Sequence, residues 1–324
     1  MLPLSILDLA PVSQGSTPAI ALQNARALAQ HAERLGYQRY WVAEHHNMTG
    51  IASAATSVVI GFIAAHTKTI RVGAGGIMLP NHSPLVIAEQ FGTLESLYPN
   101  RIDLGLGRAP GTDRQTMMAL RVDPRASDHF PQDVVELQAL LGPFQEGQTI
   151  QAVPGTNTNV PLWILGSSLF GAQLAGLLGL PFAFASHFAP DHLMQALEIY
   201  RSTFKPSQQL QKPHAMVGVN VIAADTTEEA TQLFTSLQMR FADMARGSRG
   251  LMQPPIADIE DYWSGPEKIQ AQRMLACSFV GSQKSLRLQL NDFIAKTGAE
   301  ELLVATAVYD HQARMKSYEL LAGV

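Results

Sequence analysis

Short apolar runs rich in branched and aromatic residues alternate with longer stretches of helical periodicity along the whole 324-residue chain. The short runs fall near residues 5–9, 39–44, 70–78, 101–107, 161–165, 182–186, 215–222 and 301–305, and each reads as a strand. Amphipathic segments lie between them. One is Pro18–Leu35, closed by Gly36; another is Pro84–Leu97, with Ser83 as N-cap and Pro84 in the first helical position; a third is Leu169–Leu178. Eight strands each followed by a helix predict an α/β fold of the (β/α)8 barrel type, one domain over residues 1–324, rather than an open doubly wound sheet. Two segments exceed what a barrel needs. Residues 123–159 have room for the fourth helix and then a Gly/Pro/Asn-rich loop, and residues 246–273 contain QPPIADIEDYWSGP. Both are expected as long surface loops or lids.

Composition narrows the functional classes. With 46% hydrophobic and 15% charged residues the chain can fill a large core and carries too little charge for disorder. A net charge of −4 and a pI near 6.2 supply no field that would attract nucleic acid or an anionic membrane. No run of 18 apolar residues exists, so no spanning helix is expected. The opening MLPLSILDLAPV lacks a basic region and is interrupted by Asp8, which favours a buried first strand over a signal peptide. The single cysteine, Cys277, has no partner for an internal disulfide and reads as a small buried hydrophobe, pointing to a reducing cytoplasm.

Catalytic groups of such a barrel sit where strands end and the following loops begin. The second strand ends in Glu44, His45 and His46, the third in GAGGIMLPNHSP, the fourth in LGLGRAPG, the fifth in LGSS and the sixth in ASH, finishing at His187. Polar groups and glycines thus collect at one mouth. Gly73, Gly75 and Gly76 inside an apolar strand suggest a flat surface that a ligand approaches closely. Gly105, Gly107 and Gly111 give G-x-G-x-x-x-G, a poor dinucleotide fingerprint because Pro110 lies where the helix should open. Arg108 is the better clue, since a lone guanidinium at a strand end can clamp a phosphate. Gly166, Ser167 and Ser168 precede the helix from Leu169, where free amides and a hydroxyl complete an anion site on the neighbouring strand, although ordinary capping explains the two serines equally well.

Four stretches carry a resemblance to a known family: EHHN at residues 44–47, VGAGGIMLPNHSPLVIAEQFGTLESLYPNRIDLGLGRAPG at 72–111, LGSSLFGAQLAGLLGLPFAFAS at 165–186 and FVGSQKSL at 279–286. The chain resembles the bacterial luciferase-like family of flavin-dependent monooxygenases over nearly its whole length. The resemblance implies a usually dimeric barrel that binds FMN, commonly reduced FMN delivered by a separate NAD(P)H flavin reductase. It also implies transfer of oxygen to a small organic substrate through a flavin C4a-hydroperoxide. Carried over by position, it places the flavin phosphate at Arg108 and Ser168 and the flavin ring over a cis peptide between Gly75 and Gly76. The catalytic histidine falls on His45. The luciferases' reactive cysteine falls on Gly107, and their phosphate-site glutamate and threonine on Ser167 and Gly171, so light emission is not expected.

Two further classes are open at this stage. A metal-dependent barrel hydrolase would draw ligands from Glu44, His45, His46, His82 and His187. Strand alternation opposes it, because it sends Glu44 and His46 to one side and His45 to the other. The remaining class is a non-catalytic flavin-binding partner protein, against which the retained His45 argues.

Overall fold

A computed structural model describes residues 2–109 and 113–324. Gly111 and Pro110, the end of the glycine motif after the fourth strand, lie outside the described residues. The elements run β1 (Leu4–Asp8), α1 (Pro18–Leu35), β2 (Arg39–Val42), α2 (Thr56–Ala64), β3 (Arg71–Met78), α3 (Pro84–Leu97), β4 (Ile102–Gly107), α4 (Arg114–Ala119), α5 (Phe130–Leu141) and β5 (Leu162–Gly166). They continue as α6 (Leu169–Leu178), β6 (Phe182–Phe184), α7 (Leu193–Thr203), β7 (Ala215–Ala224), α8 (Thr227–Ala245), α9 (Gly265–Met274), β8 (Ser278–Ser282), α10 (Gln283–Thr297), β9 (Glu301–Ala305) and α11 (His311–Ala322).

Parallel pairing runs from β1 through β2, β3, β4, β5, β6 and β7 to β9 and back to β1, closing eight strands into a (β/α)8 barrel. These are the eight strands expected from the sequence. The ninth, β8, pairs with the far end of β7, from Asn220 to Ala224, and was not foreseen. Its five residues, SFVGS, run straight into α10 without a turn signal, so the pattern hid it.

Helix α1 shows why the sequence folds locally as it does. The Thr17 hydroxyl accepts the Ile20 amide, Pro18 opens the first turn, and Gly36 closes the helix at φ 82°, where a side chain would strain. Ala21, Ala25, Leu28, Ala29 and Ala32 form the buried stripe against the barrel.

The two long insertions are better ordered than their composition suggested. Residues 246–273 include most of α9, whose start is a capping box of Ser264 and Glu267 with a proline in the first turn. The stretch after α5 is held against α3, where an added Cβ on Gly92 would lie 2.1 Å from the Gly155 Cα. It is therefore a packed connection and not a lid.

The barrel interior has a polarity that orients the site. At the end where the strands begin, Arg39 bridges Asp103 at 2.7 Å and Glu301 at 3.0 Å, Arg71 meets Asp103 at 2.6 Å, and His214 meets Glu301 at 3.0 Å. Trp41 and Trp163 stack edge-on above this network, with centroids 5.1 Å apart. Charge pairs and indoles thus plug one end and leave chemistry to the other. Outside the barrel, the fully buried Asp8 accepts Arg314 at 2.8 Å and the Tyr40 hydroxyl, tying α11 to β1 and β2. Cys277 is buried, as expected, and burial pushes its thiol up.

Candidate active site

β2 ends at Val42, two residues earlier than the sequence suggested; beyond it the Ala43 amide donates to the Asp8 carbonyl at 3.3 Å and the Glu44 amide to the Gly76 carbonyl at 3.2 Å. Side chains beyond it still alternate. Glu44 is 1% exposed, and its carboxylate accepts the Met78 amide at 2.9 Å and the Asn81 amide group at 3.3 Å. His46 Nε2 lies 2.6 Å from Oε1, and His82 Nε2 lies 2.9 and 3.0 Å from the two oxygens. Burial pushes the Glu44 carboxyl up, but the hydrogen bonds and attraction from His82, with those from His46 and Met78, outweigh it and hold the group below its ordinary value. Glu44 is thus a clasp joining the end of β2 to the end of β3. Its lone pairs are taken up by donors, and among the described residues no group of three or more His, Cys, Asp or Glu is arranged to hold a metal ion.

His45 faces away from this clasp. Its Nδ1 is buried with no hydrogen-bond partner. Burial first, and the Arg240 cation second, lower its pKa to about 4, with Glu44 and the Ala43 carbonyl pulling the other way. His187, just after β6, is in the same condition: Nδ1 is unpartnered, and burial followed by the charge of His45 lowers its pKa to about 4. Its loop is fixed from both sides. The Ser186 hydroxyl donates to the Gly218 carbonyl at 2.6 Å, and the Asn220 side chain donates to the His187 carbonyl at 2.6 Å. Gly218 makes room for the ring, since a Cβ there would lie 2.5 Å from His187 Nδ1. Two neutral imidazoles therefore share the mouth with a cation from α8.

The second half of the candidate site forms where β4 and β5 end. The Arg108 guanidinium carbon lies 4.2 Å from the ring centroid of Phe170, the second residue of α6, so Arg108 stands at that helix's N-terminus. It is exposed and forms no ion pair with any described residue. Ser168 is the N-cap with extended backbone, yet its side chain makes no capping bond. Its hydroxyl and the first amides of α6 remain open toward a ligand, with Ser167 and Gly166 leading into them. The structure thus brings Arg108 and the α6 N-terminus together.

The peptide between Gly75 and Gly76 is cis. Packing adds a reason for glycine here beside the flat ligand surface that the sequence suggested. A Cβ on Gly75 would meet Leu7 Cδ1 at 2.7 Å, and one on Gly76 the Gly105 carbonyl at 2.8 Å. The barrel's own packing requires both. Gly75 is partly open, so its backbone still borders the mouth.

Sequence reasoning missed two residues of this mouth. Arg240 sits inside an amphipathic helix with no local signal to single it out, and Gly218 is one small residue in a fully buried strand. His187 was visible at the sixth strand's end and as a possible metal ligand, but not as a partner of His45.

A barrel with its polar groups gathered at the carboxyl ends of its strands defines an enzyme-type scaffold. The family model for luciferase-like monooxygenases matches residues 2–301, and the chain belongs to that family. It is 54% identical to a luciferase-like monooxygenase of Escherichia coli strain K12, over 99% of this chain and 96% of that protein. It is 30% identical to the N-acetyl-S-alkylcysteine monooxygenase of Bacillus subtilis strain 168, over 99% of this chain and 98% of that protein. Among solved structures it is similar to apo-MsnO8, with a TM-score of 0.93 and 38% identity, covering 100% of this chain and 98% of that one. No helix among the described residues is long and apolar enough to cross a membrane.

Proposed function

We propose that the protein is an FMN-dependent monooxygenase that uses reduced FMN, supplied by a separate NAD(P)H flavin reductase, and O2 to oxygenate a small organic substrate. The observation that carries this reading is the pairing, across one barrel mouth, of an unpartnered neutral imidazole at His45 with an anion cradle at Arg108 and the α6 N-terminus. Family membership supports the oxygen chemistry.

The residues present fit the cofactor. Arg108 and the α6 amides, with the Ser168 hydroxyl, would hold its phosphate: the site offers a charge, helix-terminal N–H groups and an idle hydroxyl in one place. The partly open backbone at Gly75, with the buried Gly76 behind it, would border its ring. When bound, reduced FMN supplies the electrons and the centre at which oxygen is activated. His45, neutral down to about pH 4, can accept a proton from the substrate at its unpartnered Nδ1 and return it as the reaction completes. His187 faces it and stays neutral, which keeps a second positive charge away from His45. The Glu44 clasp fixes the backbone on either side of His45 and leaves the ring to the mouth. Leu7, Trp41 and Trp163 below limit water from the barrel interior.

The test is direct. The purified chain is titrated with FMN, riboflavin and a deazaflavin of the F420 type, and oxygen uptake and substrate oxygenation are then followed with reduced FMN. FMN binding tighter than riboflavin, with substrate-dependent oxygen incorporation, is the expected result. Preference for the deazaflavin, which reacts poorly with O2, would replace the monooxygenase reading by a hydride-transfer one.

A further inference from the structure

Arg240 is half-buried and has no counter-ion. No ion pair or hydrogen bond reaches it among the described residues, and burial lowers its pKa. Its neighbours on the same helix behave differently. Arg246 is bidentate to Glu267 at 2.8 and 2.9 Å, and Asp243 takes the Tyr262 hydroxyl at 2.7 Å and Gln253 at 2.9 Å. The acid that lines the same hollow as Arg240 is thus committed elsewhere. A half-buried cation without a partner keeps only part of its hydration, so it favours an anion that can meet it.

The hollow has a definite shape. Residues 248–253 fold back over the mouth: Met252 donates to the Val12 carbonyl at 3.0 Å, Gln14 donates to the Met252 carbonyl at 2.8 Å, and the Thr49 hydroxyl donates to the Arg249 carbonyl at 3.3 Å. Gly50 is pressed against this segment, where a Cβ would lie 2.3 Å from the Gly250 carbonyl. Between that segment and α8 is a cavity bounded by Arg240, Met48, Met244 and Leu251. Arg240 and Arg249 bring cations to it, Asp243, Ser248 and Gln253 bring polar groups, and Met48, Met244 and Leu251 supply its thioether and alkyl surface. The same Arg240 acts electrostatically on His45, so a charge placed in the cavity is felt at the proposed proton acceptor.

We propose that Arg240 receives the carboxylate of the substrate, so that the enzyme acts on a small amphiphilic anion whose apolar part lies along Met48, Met244 and Leu251. This rests on the monooxygenase reading for the word substrate, but the anion site stands on its own geometry. A planar guanidinium with its donors free matches a carboxylate by two parallel bonds. Binding an anion there also removes the unfavourable field at His45, so occupancy and the proton affinity of His45 are linked.

Hexanoate, hexanesulfonate, hexyl phosphate and hexanamide serve as probes by calorimetry on the whole chain, in wild type, Arg240→Gln and Arg240→Lys. Hexanoate should bind and hexanamide should not, with the sulfonate and phosphate weaker than hexanoate. Arg240→Gln should weaken hexanoate by about 10- to 100-fold, and Arg240→Lys by less. The Tm of Arg240→Gln should equal or exceed that of wild type, because an uncompensated cation has gone. In an NMR titration, saturating hexanoate should raise the pKa of His45 in wild type and leave it unchanged in Arg240→Gln. Equal binding of amide and carboxylate, or no binding of any probe, overturns the proposal. So does an Arg240→Gln loss that falls on FMN and spares riboflavin, which would make this the flavin phosphate site. Hexanoate binding without any FMN binding would instead sink the monooxygenase reading and leave the anion site standing.

Discussion

Glu44 Oε1 lies 2.6 Å from His46 Nε2, two residues along, while the intervening His45 turns the other way and keeps Nδ1 buried and unpartnered. Three adjacent titratable residues are thereby split into a structural pair and a free imidazole. His45→Ala is expected to leave Tm and FMN affinity nearly unchanged and to lower turnover by about 10² to 10⁴, the usual contribution of a positioned acid or base. Glu44→Ala should act through stability. It strands the Met78 amide, His46 and His82, a loss of about 3 kcal/mol or more. Tm, FMN affinity and turnover measured in parallel for His45→Ala, His46→Ala and Glu44→Ala decide the matter. Full turnover in His45→Ala, with loss in a stable His46→Ala, would reverse the assignment.

Arg108 stacks on Phe170 and has no acidic partner among the described residues, so its charge is available to a phosphate. Arg108→Ala should weaken FMN by about 10- to 100-fold and riboflavin hardly at all, because a charge-assisted contact is worth roughly 1.5 to 3 kcal/mol and riboflavin has no phosphate to lose. Fluorescence titration with both ligands measures this. Equal losses would move the phosphate away from Arg108.

These expectations began in the sequence, and the way they did so explains what it could and could not reveal. Helix and strand patterns report local burial, so α1, α3 and α6 and the eight barrel strands were legible from periodicity, caps and glycines. The strand ends marked the mouth because a barrel places loops there. What stayed hidden was long-range pairing. Asp8 broke an apolar run, and only the fold supplies Arg314, more than 300 residues later, to balance it. Arg240 lacks an acid for the same kind of reason: a sequence shows that a charge exists, never which charges the fold leaves unmatched. The glycines of β3 carry a second requirement that the sequence did not show: the contacts that forbid a Cβ at Gly75 and Gly76 come from the barrel itself.

Part of the pH dependence of stability follows from the two histidines of the mouth, His45 and His187, which are depressed furthest. In the folded protein His45 and His187 stay neutral down to about pH 4, while in the unfolded chain each takes up a proton near the ordinary histidine value of 6.5. Between those values the unfolded state binds more protons, so stability is full above about pH 6.5, falls as the pH drops, and stops falling from this cause below about pH 4. Allowing for partial solvent access at the mouth, each contributes about 2 kcal/mol to that fall. Tm recorded from pH 8 to 4 should therefore slope less in His187→Gln than in wild type. Parallel slopes would mean that His187 is as easily protonated folded as unfolded.

The last expectation concerns the glycine that makes room for His187. Gly218 pairs with Leu303 across β7 and β9, and a Cβ on it would lie 2.5 Å from His187 Nδ1 and 3.1 Å from the Phe184 carbonyl. The backbone there lies outside the left-handed region, so alanine meets a steric obstacle and no torsional one. Gly218→Ala should push the imidazole from its place and destabilise the protein by about 1 to 3 kcal/mol, the range for overpacking a filled interior. It should also raise the His187 pKa toward 6.5, since a ring forced outward regains water. The Phe184 carbonyl is backbone and yields less, so removing the ring should relieve most of the strain but not all. In a His187→Ala background the same Gly218→Ala change should therefore cost less than about 1 kcal/mol, a coupling that a double-mutant cycle reads directly. If denaturant unfolding gives the same loss in both backgrounds, the glycine serves β7 itself and does not shape the seat of His187.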